Sequence, residues 1–185
     1  MGEHEVKRRA VFLDRDGVLN RAVVRDGLPF PPATLEEFEL YPGVAEGCAE
    51  LKAAGFLLIV ASNQPDVGRG TQARETVEAM HHKLRAAIPA LDAIEVCYHA
   101  GERHNDPCDC RKPKPGMLLR AAAERGIDLM HSFLIGDRWR DVDCAHAAGC
   151  RAVFIDRGYR EPLREKPEFT VASFSEAVAT VRQNL

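Results

Sequence analysis

The stretch Val11-Phe12-Leu13-Asp14-Arg15-Asp16-Gly17-Val18-Leu19-Asn20 is an apolar run that breaks off at two carboxylates, with a glycine directly behind them. The apolar part has the length and composition of a buried parallel strand. In open α/β sheets ligands bind beyond the carboxyl ends of the strands, so Asp14 and Asp16 would emerge at the mouth of a site. On a regular strand, positions i and i+2 share a face. Two carboxylates held that close repel each other until a divalent cation or a shared proton relieves them. A bare D-x-D also describes an acidic turn after a strand, so its weight depends on its surroundings.

Outward from this run the pattern recurs. Arg21 to Leu40, with Gly27, Pro29, Pro31 and Pro32, has no sustained periodicity and reads as a long loop, either a lid or substrate wall or a surface insertion. Pro42-Gly43 opens a helix through Ala54, closed by Gly55. Phe56 to Ala61 is a second buried strand, ending in Ser62-Asn63-Gln64-Pro65, and Asp66 to Gly70 form a turn. A helix follows from Thr71 to Ile88, with Val77, Met80, Leu84 and Ile88 at helical spacing and His81 and His82 read as surface residues. Ala93 to Tyr98 is a third strand, Gly116 to Arg125 a helix, and Ser132 to Ile135 a fourth strand running into Gly136-Asp137-Arg138-Trp139-Arg140-Asp141. A helix from Asp141 to Ala148, strands at Arg151 to Ile155 and Phe169 to Val171, and a helix capped by Ser173 or Ser175 complete the chain. Such alternation predicts a single Rossmann-like, doubly wound α/β domain over residues 1–185 with a mainly parallel sheet.

Composition narrows the class. With 185 residues, 45% of them hydrophobic and 29% charged, and a net charge of −3, the chain has the balance of an ordinary globular protein. Nothing in that balance suggests binding to nucleic acid. No apolar stretch approaches the ~18 residues needed to cross a membrane. Met1-Gly2-Glu3-His4-Glu5 lacks the apolar core of a signal peptide, so a cytoplasmic location is expected. A monomer is expected as well.

The cysteines divide in two. Cys48, Cys144 and Cys150 are scattered and read as small core residues. Cys97, His99, Cys108 and Cys110 form a tight window, offering three thiolates and one imidazole with no spare position. That donor set describes a closed structural Zn²⁺ site in a loop over residues 97–110. His104 and Asp106 are second-choice ligands. Because Arg111 follows Cys110, the metal would also fix the basic pair Arg111 and Lys112.

If the sheet is parallel, its strand ends bring together Asp14, Asp16, Ser62, Asn63, Asp137 and Asp141, with Arg111 and Lys112 nearby. A nucleophile, an acid/base, hydroxyl and amide donors, a cation and a further carboxylate for Mg²⁺ suit phosphoryl transfer.

The order D-x-D-G, S-N-Q, R-K-P-x-P-G-M and G-D-x-x-x-D resembles the haloacid dehalogenase superfamily of phosphatases, from about Val11 to Ile155. F-L-D-R-D-G-V-L-N and C-D-C-R-K-P-K-P-G-M are similar to the branch that contains the heptose-bisphosphate 7-phosphatases and the histidinol-phosphate phosphatases. The resemblance implies that Asp14 is the nucleophile, forming an aspartyl-phosphate, and Asp16 the acid/base. It implies Mg²⁺ on the Asp14 carboxylate, the Asp16 carbonyl and Asp137. Ser62 and Lys112 would hold phosphoryl oxygens, while Asn63, Gln64, Arg111 and Arg138 would contact phosphate or substrate. Asp141 would orient Lys112 or a metal-bound water. The implied substrate is a phosphorylated sugar, D-glycero-D-manno-heptose 1,7-bisphosphate, in lipopolysaccharide precursor biosynthesis, with histidinol phosphate as the alternative. A nucleic-acid 3′-phosphatase and a non-catalytic zinc module are weaker alternatives. Asn63-Gln64-Pro65-Asp66-Val67-Gly68-Arg69-Gly70 departs from the N-Q-S-G-x-x-R-G common among the heptose enzymes.

Overall fold

The computed structural model describes residues 7–185. The stretch Met1 to Glu5, on which the expectation of no signal peptide rests, lies outside the described residues. In chain order the elements are β1 (Ala10–Leu13), the short β2 (Val23–Arg25) and β3 (Leu28–Phe30), α1 (Val44–Ala53), β4 (Leu57–Asn63), α2 (Pro65–Gly68), α3 (Arg74–Ala87), β5 (Ala93–Cys97), α4 (Gly116–Arg125), β6 (Phe133–Gly136), α5 (Trp139–Ala148), β7 (Arg151–Ile155), β8 (Phe169–Val171) and α6 (Phe174–Gln183).

Six strands form one sheet in the order β5-β4-β1-β6-β7-β8, and every pairing in it is parallel. The chain steps outward from β1 through β4 to β5, then returns to lay β6 on the other flank of β1. That reversal makes the carboxyl end of β1 the switch point of the sheet, where loops part to leave a crevice. Asp14 is the next residue.

Strand side chains alternate between two cores. Val11, Leu13, Leu58, Val60, Phe133 and Ile135 pack with α1, α3 and α6, while Ala10, Phe12, Ile59, Ala61 and Leu134 pack with α4 and α5. Burial on both faces explains why these strands read as unbroken apolar runs. Cys48, Cys144 and Cys150 are buried among them, as expected. Gly47 lets α1 approach α6, since a Cβ there would lie 2.9 Å from the Phe174 ring.

The structure corrects the sequence reading in three places. Arg21 to Leu40 is not wholly irregular: β2 and β3 pair as an antiparallel hairpin. Its turn is Asp26-Gly27, with φ of 51° and 76°, the paired left-handed conformation that suits a two-residue hairpin loop. Only three residues per strand, with Pro29 inside one of them, hid the alternation. Pro65–Gly68 closes a single helical turn where only a glycine-containing turn was expected, and α3 starts at Arg74 rather than Thr71. His81, read as a surface residue, is buried, whereas its neighbour His82 is exposed. Among the described residues, no helix is long and apolar enough to cross a membrane.

Candidate active site

Three segments deliver charge to the end of β1. Asp14 follows β1 directly, its N–H donating to the Ile135 carbonyl of β6 at 2.9 Å. Asp137 follows β6. Asp141 lies in the first turn of α5, where its Oδ2 accepts from the Arg138 N–H at 3.1 Å. Carboxylate oxygens of Asp14, Asp137 and Asp141 lie within 4.8 Å of one another, and all three residues are buried. Lys112 enters from the segment before α4, its Nζ 2.9 Å from Asp14 Oδ1 and 2.6 Å from Asp141 Oδ1. Two glycines make the room. A Cβ on Gly136 would come within 2.2 Å of the Asp141 Cβ, and one on Gly17, where φ is +89°, within 1.7 Å of Asp137 Oδ2.

One ammonium against three carboxylates leaves this cluster short of positive charge. Burial and the Asp141 charge push the Asp14 carboxyl up to about 6, against the pull of Lys112. Burial, then Asp14 and Asp141, push Asp137 well above the ordinary carboxyl range. Burial alone would push Lys112 down, but Asp14 and Asp141 more than reverse it and keep the ammonium charged. Both carboxylate oxygens of Asp137 are buried and make no hydrogen bond of good geometry, with only the nearby Tyr159 hydroxyl and Lys112 offsetting the charge. Orphaned anionic oxygens in such a pocket are costly, and a hard divalent cation with oxygen ligands removes that cost. The residues present fit Mg²⁺.

Asp16 does not join the cluster. β1 ends at Leu13, and the following residues curl into a turn in which the Leu19 and Asn20 N–H groups donate to the Arg15 carbonyl. The i, i+2 pair therefore leaves strand geometry and the two carboxylates diverge. Asp16 accepts from Asn20 Nδ2 at 2.9 Å, from Gln64 Nε2 at 2.8 Å and from the Arg15 guanidinium. The like-charge neighbour that matters most to Asp14 is Asp141, not Asp16 as its spacing suggested.

Asp14, Asp16 and Lys112 border a cavity of about 780 Å³. Asn63 borders it too, with its amide spent on the Lys112 backbone: it accepts that N–H and donates to that carbonyl, both at 3.0 Å. Arg111 lines the wall while Nη1 donates to the His99 and Ala100 carbonyls at 3.1 and 2.8 Å. Arg138 lines it with Nε and Nη2 on Glu161, at 2.7 and 2.6 Å. Ser62 and Gln64, expected to touch phosphate or substrate, are buried and do not border the cavity. Gln64 Nε2 instead bridges Ser62 Oγ and Asp16, each at 2.8 Å, so both residues stand behind the Asp16 carboxylate.

Sequence reasoning missed most of the cavity's positive wall. Arg69, Arg103, Arg140 and Arg164 line it from four separate segments. Arg69 stands at the R of N-Q-S-G-x-x-R-G, but Arg103, Arg140 and Arg164 match no motif position, so only the fold reveals the cluster.

The Cys97, His99, Cys108 and Cys110 ligand atoms also lie within 4.8 Å of one another. Sγ of Cys97 is 3.7 Å from that of Cys108, and His99 Nδ1 lies 3.6 Å from Cys97 Sγ and 3.3 Å from Cys110 Sγ. A tetrahedron with Zn–S bonds of ~2.3 Å has edges of roughly 3.8 Å, so this donor set fits zinc without rearrangement. Gly116 seats the loop against α4, its N–H on the Asp109 carbonyl at 3.0 Å.

Residues 109–177 match the HAD-hydrolase-like family model. The chain is 36% identical over 184 residues to the D-glycero-beta-D-manno-heptose-1,7-bisphosphate 7-phosphatase of Pseudomonas putida, covering 95% of this chain and 98% of that one. It is 32% identical over 197 residues to the D-glycero-D-manno-heptose-1,7-bisphosphate 7-phosphatase of Thermosynechococcus vestitus, covering 96% and 97%. Among solved structures, the D,D-heptose 1,7-bisphosphate phosphatase from B. bronchiseptica, complexed with magnesium and phosphate, superposes with a TM-score of 0.79 at 28% identity, covering 96% of this chain and 99% of that one. Site and likenesses together define the class, a phosphoric monoester hydrolase of the haloacid dehalogenase type. Within that class, the chain belongs to the family of the heptose-1,7-bisphosphate 7-phosphatases.

Proposed function

We propose that this protein is a Mg²⁺-dependent phosphatase that removes the 7-phosphate of D-glycero-D-manno-heptose 1,7-bisphosphate and leaves the heptose 1-phosphate. The observation that carries the reading is the buried Asp14, Asp137, Asp141 and Lys112 cluster opening onto an arginine-lined cavity. A polyanionic sugar suits that wall better than the amino alcohol histidinol phosphate, whose ammonium group the arginines would repel.

An Asp14 carboxylate oxygen attacks phosphorus, the bond from phosphorus to the sugar oxygen breaks, and Asp16 gives its proton to the departing alkoxide. The aspartyl-phosphate is then hydrolysed: Asp16, now a carboxylate, takes a proton from the attacking water, and the bond from phosphorus to Asp14 breaks to free phosphate. Lys112 and Arg111 face the phosphoryl oxygens, Lys112 being held by Asp141 and by Asn63. Asp14, Asp137 and the Asp16 carbonyl would hold Mg²⁺. When bound, it supplies positive charge that neutralises the transferring group. Zn²⁺ on the thiolate and imidazole cluster would be structural. The chain acts as one catalytic domain and a cytoplasmic monomer, with residues 21–40 and 97–110 as walls around the substrate.

Phosphate release with Mg²⁺ from heptose 1,7-bisphosphate and from L-histidinol phosphate, measured side by side, tests this. Turnover of the heptose alone, abolished by Asp14→Asn, is the expected result. Turnover of histidinol phosphate alone would overturn the substrate, and activity surviving Asp14→Asn would overturn the nucleophile.

A further inference from the structure

Asp16 is gripped by a cation for which the reaction above has no use. Arg15 is fully buried, and burying a guanidinium costs several kcal/mol unless partners compensate it. Its Nε donates to Asp16 Oδ1 at 3.1 Å, and Nη2 to Oδ1 and Oδ2 at 2.9 and 3.0 Å. The guanidinium carbon lies 5.4 Å from the centre of the Phe38 ring. The other terminal nitrogen, Nη1, is 3.2 Å from His81 Nε2.

A guanidinium can only donate, so His81 Nε2 must present a lone pair and the ring proton sits on Nδ1. Nδ1 faces Glu78 Oε2 at 3.6 Å. Tyr98 donates to the other Glu78 oxygen, and Tyr98 lies between the cluster residues Cys97 and His99. Burial and the Arg15 charge push the imidazole down to about 4, so it remains a neutral acceptor near neutral pH. An ordered file of side chains thus runs from the cysteine loop through Tyr98, Glu78, His81 and Arg15 to Asp16. Asp16 lies on a turn beyond the end of β1, where Asn20 and Gln64 each hold one carboxylate oxygen and the Arg15 fork engages both.

We propose that Arg15 and His81 are positioning residues: His81 fixes the Arg15 guanidinium, which holds the Asp16 carboxyl in the rotamer that delivers its proton to the leaving alkoxide. This rests on the reading of Asp16 as the general acid. A residue that acts through proton delivery matters most when the leaving group needs the proton. An alkoxide does, and p-nitrophenolate does not. kcat/KM reports the steps through departure of that group.

The experiment compares kcat/KM for heptose 1,7-bisphosphate and for p-nitrophenyl phosphate across Asp16→Asn, His81→Phe, His81→Gln and Arg15→Lys. Asp16→Asn calibrates the split, with a loss of about 10²- to 10⁴-fold on the sugar phosphate and a far smaller one on the aryl phosphate. His81→Phe fills the space without an acceptor, and a misplaced acid is expected to cost roughly 10- to 100-fold on the sugar phosphate but under about 3-fold on the aryl phosphate. His81→Gln, whose amide oxygen can accept from Nη1, should recover most of that loss. Arg15→Lys keeps the charge without the fork and should reproduce the split, which carries the test if His81→Phe does not fold. Equal losses on both substrates, or no loss, in His81→Phe and Arg15→Lys while Asp16→Asn shows the split would overturn the proposal and leave Asp16 as the acid. No split in Asp16→Asn would remove the acid itself, and the proposal with it.

Discussion

A neutral imidazole packed against a buried guanidinium ties stability to pH in one direction. The His81 ring takes up a proton near pH 6.5 when the chain is unfolded but only at about 4 when folded. Between those values the unfolded chain binds more protons, so this residue lowers stability as pH falls from 6.5 toward 4, and its effect is complete below that. The size follows from the two values: on the order of 2 kcal/mol at pH 4.5. Urea unfolding at pH 7 and pH 4.5 should show His81→Gln losing less stability than the wild type by about that amount, with other acid-sensitive groups common to both. Parallel losses would mean that the imidazole is not held neutral. His81 was legible in principle, because it continues the spacing of Val77, Leu84 and Ile88 along the buried face of α3. Reading it as polar rather than by position hid it. Asp14, Lys112, Asp137 and Asp141 were legible by type, since carboxylates and a lysine clustered at the ends of apolar strands have few other uses. What Gln64 touches was not, because a side chain's direction past the end of a strand depends on the turn that follows, and it is Gln64 folding back that engages Ser62 inside β4.

At the scale of elements, the segment from Cys97 to Lys112 carries tension between composition and position. It is polar and, beyond β5, has only the short 3₁₀ turn at Glu102–His104, yet it delivers Arg111 to the cavity and Lys112 to the buried carboxylates. Its side-chain ties are the Ala100 N–H on Asp106 Oδ2 at 2.7 Å, the Arg111 side chain on two carbonyls, and Lys114 on Glu102 at 2.8 Å and on the Cys108 carbonyl at 3.0 Å, beside short backbone turns about Gly101. A metal at the thiolates would join the two ends of the loop, and binding energy there is folding energy. Mass spectrometric metal analysis should find about one zinc per wild-type chain and essentially none in Cys108→Ala. The variant should melt several degrees lower and lose roughly tenfold or more in kcat, as Arg111 and Lys112 lose their anchorage. A Cys108→Ala protein with full activity would show that the loop holds its shape unaided. The donor spacing made this loop legible from sequence. The β2–β3 hairpin was less so, because its only strong signal is the Asp26-Gly27 pair.

Over the whole molecule, charge is distributed against its own average. The net charge is −3, yet Arg69, Arg103, Arg111, Arg138, Arg140 and Arg164 all face one cavity. Alternating strands and helices made the parallel sheet legible, and with it the convergence of strand ends, but these arginines sit on loops and helix starts whose meeting depends on strand order. Their field acts before any contact forms, drawing a polyanion toward the end of β1. The Debye length is ~10 Å at 0.1 M salt and ~3 Å at 1 M, so salt should weaken this attraction while leaving the buried cluster of Asp14, Asp137, Asp141 and Lys112 nearly untouched. Raising NaCl from about 20 to about 500 mM should raise KM for heptose 1,7-bisphosphate several-fold and change kcat by less than about twofold. The KM for p-nitrophenyl phosphate, which carries a single phosphate, should rise less. A KM for the bisphosphate that ignores salt would mean that the arginines are neutralised by their own partners, as Arg138 partly is by Glu161, and that recognition rests on short contacts at the cavity floor alone.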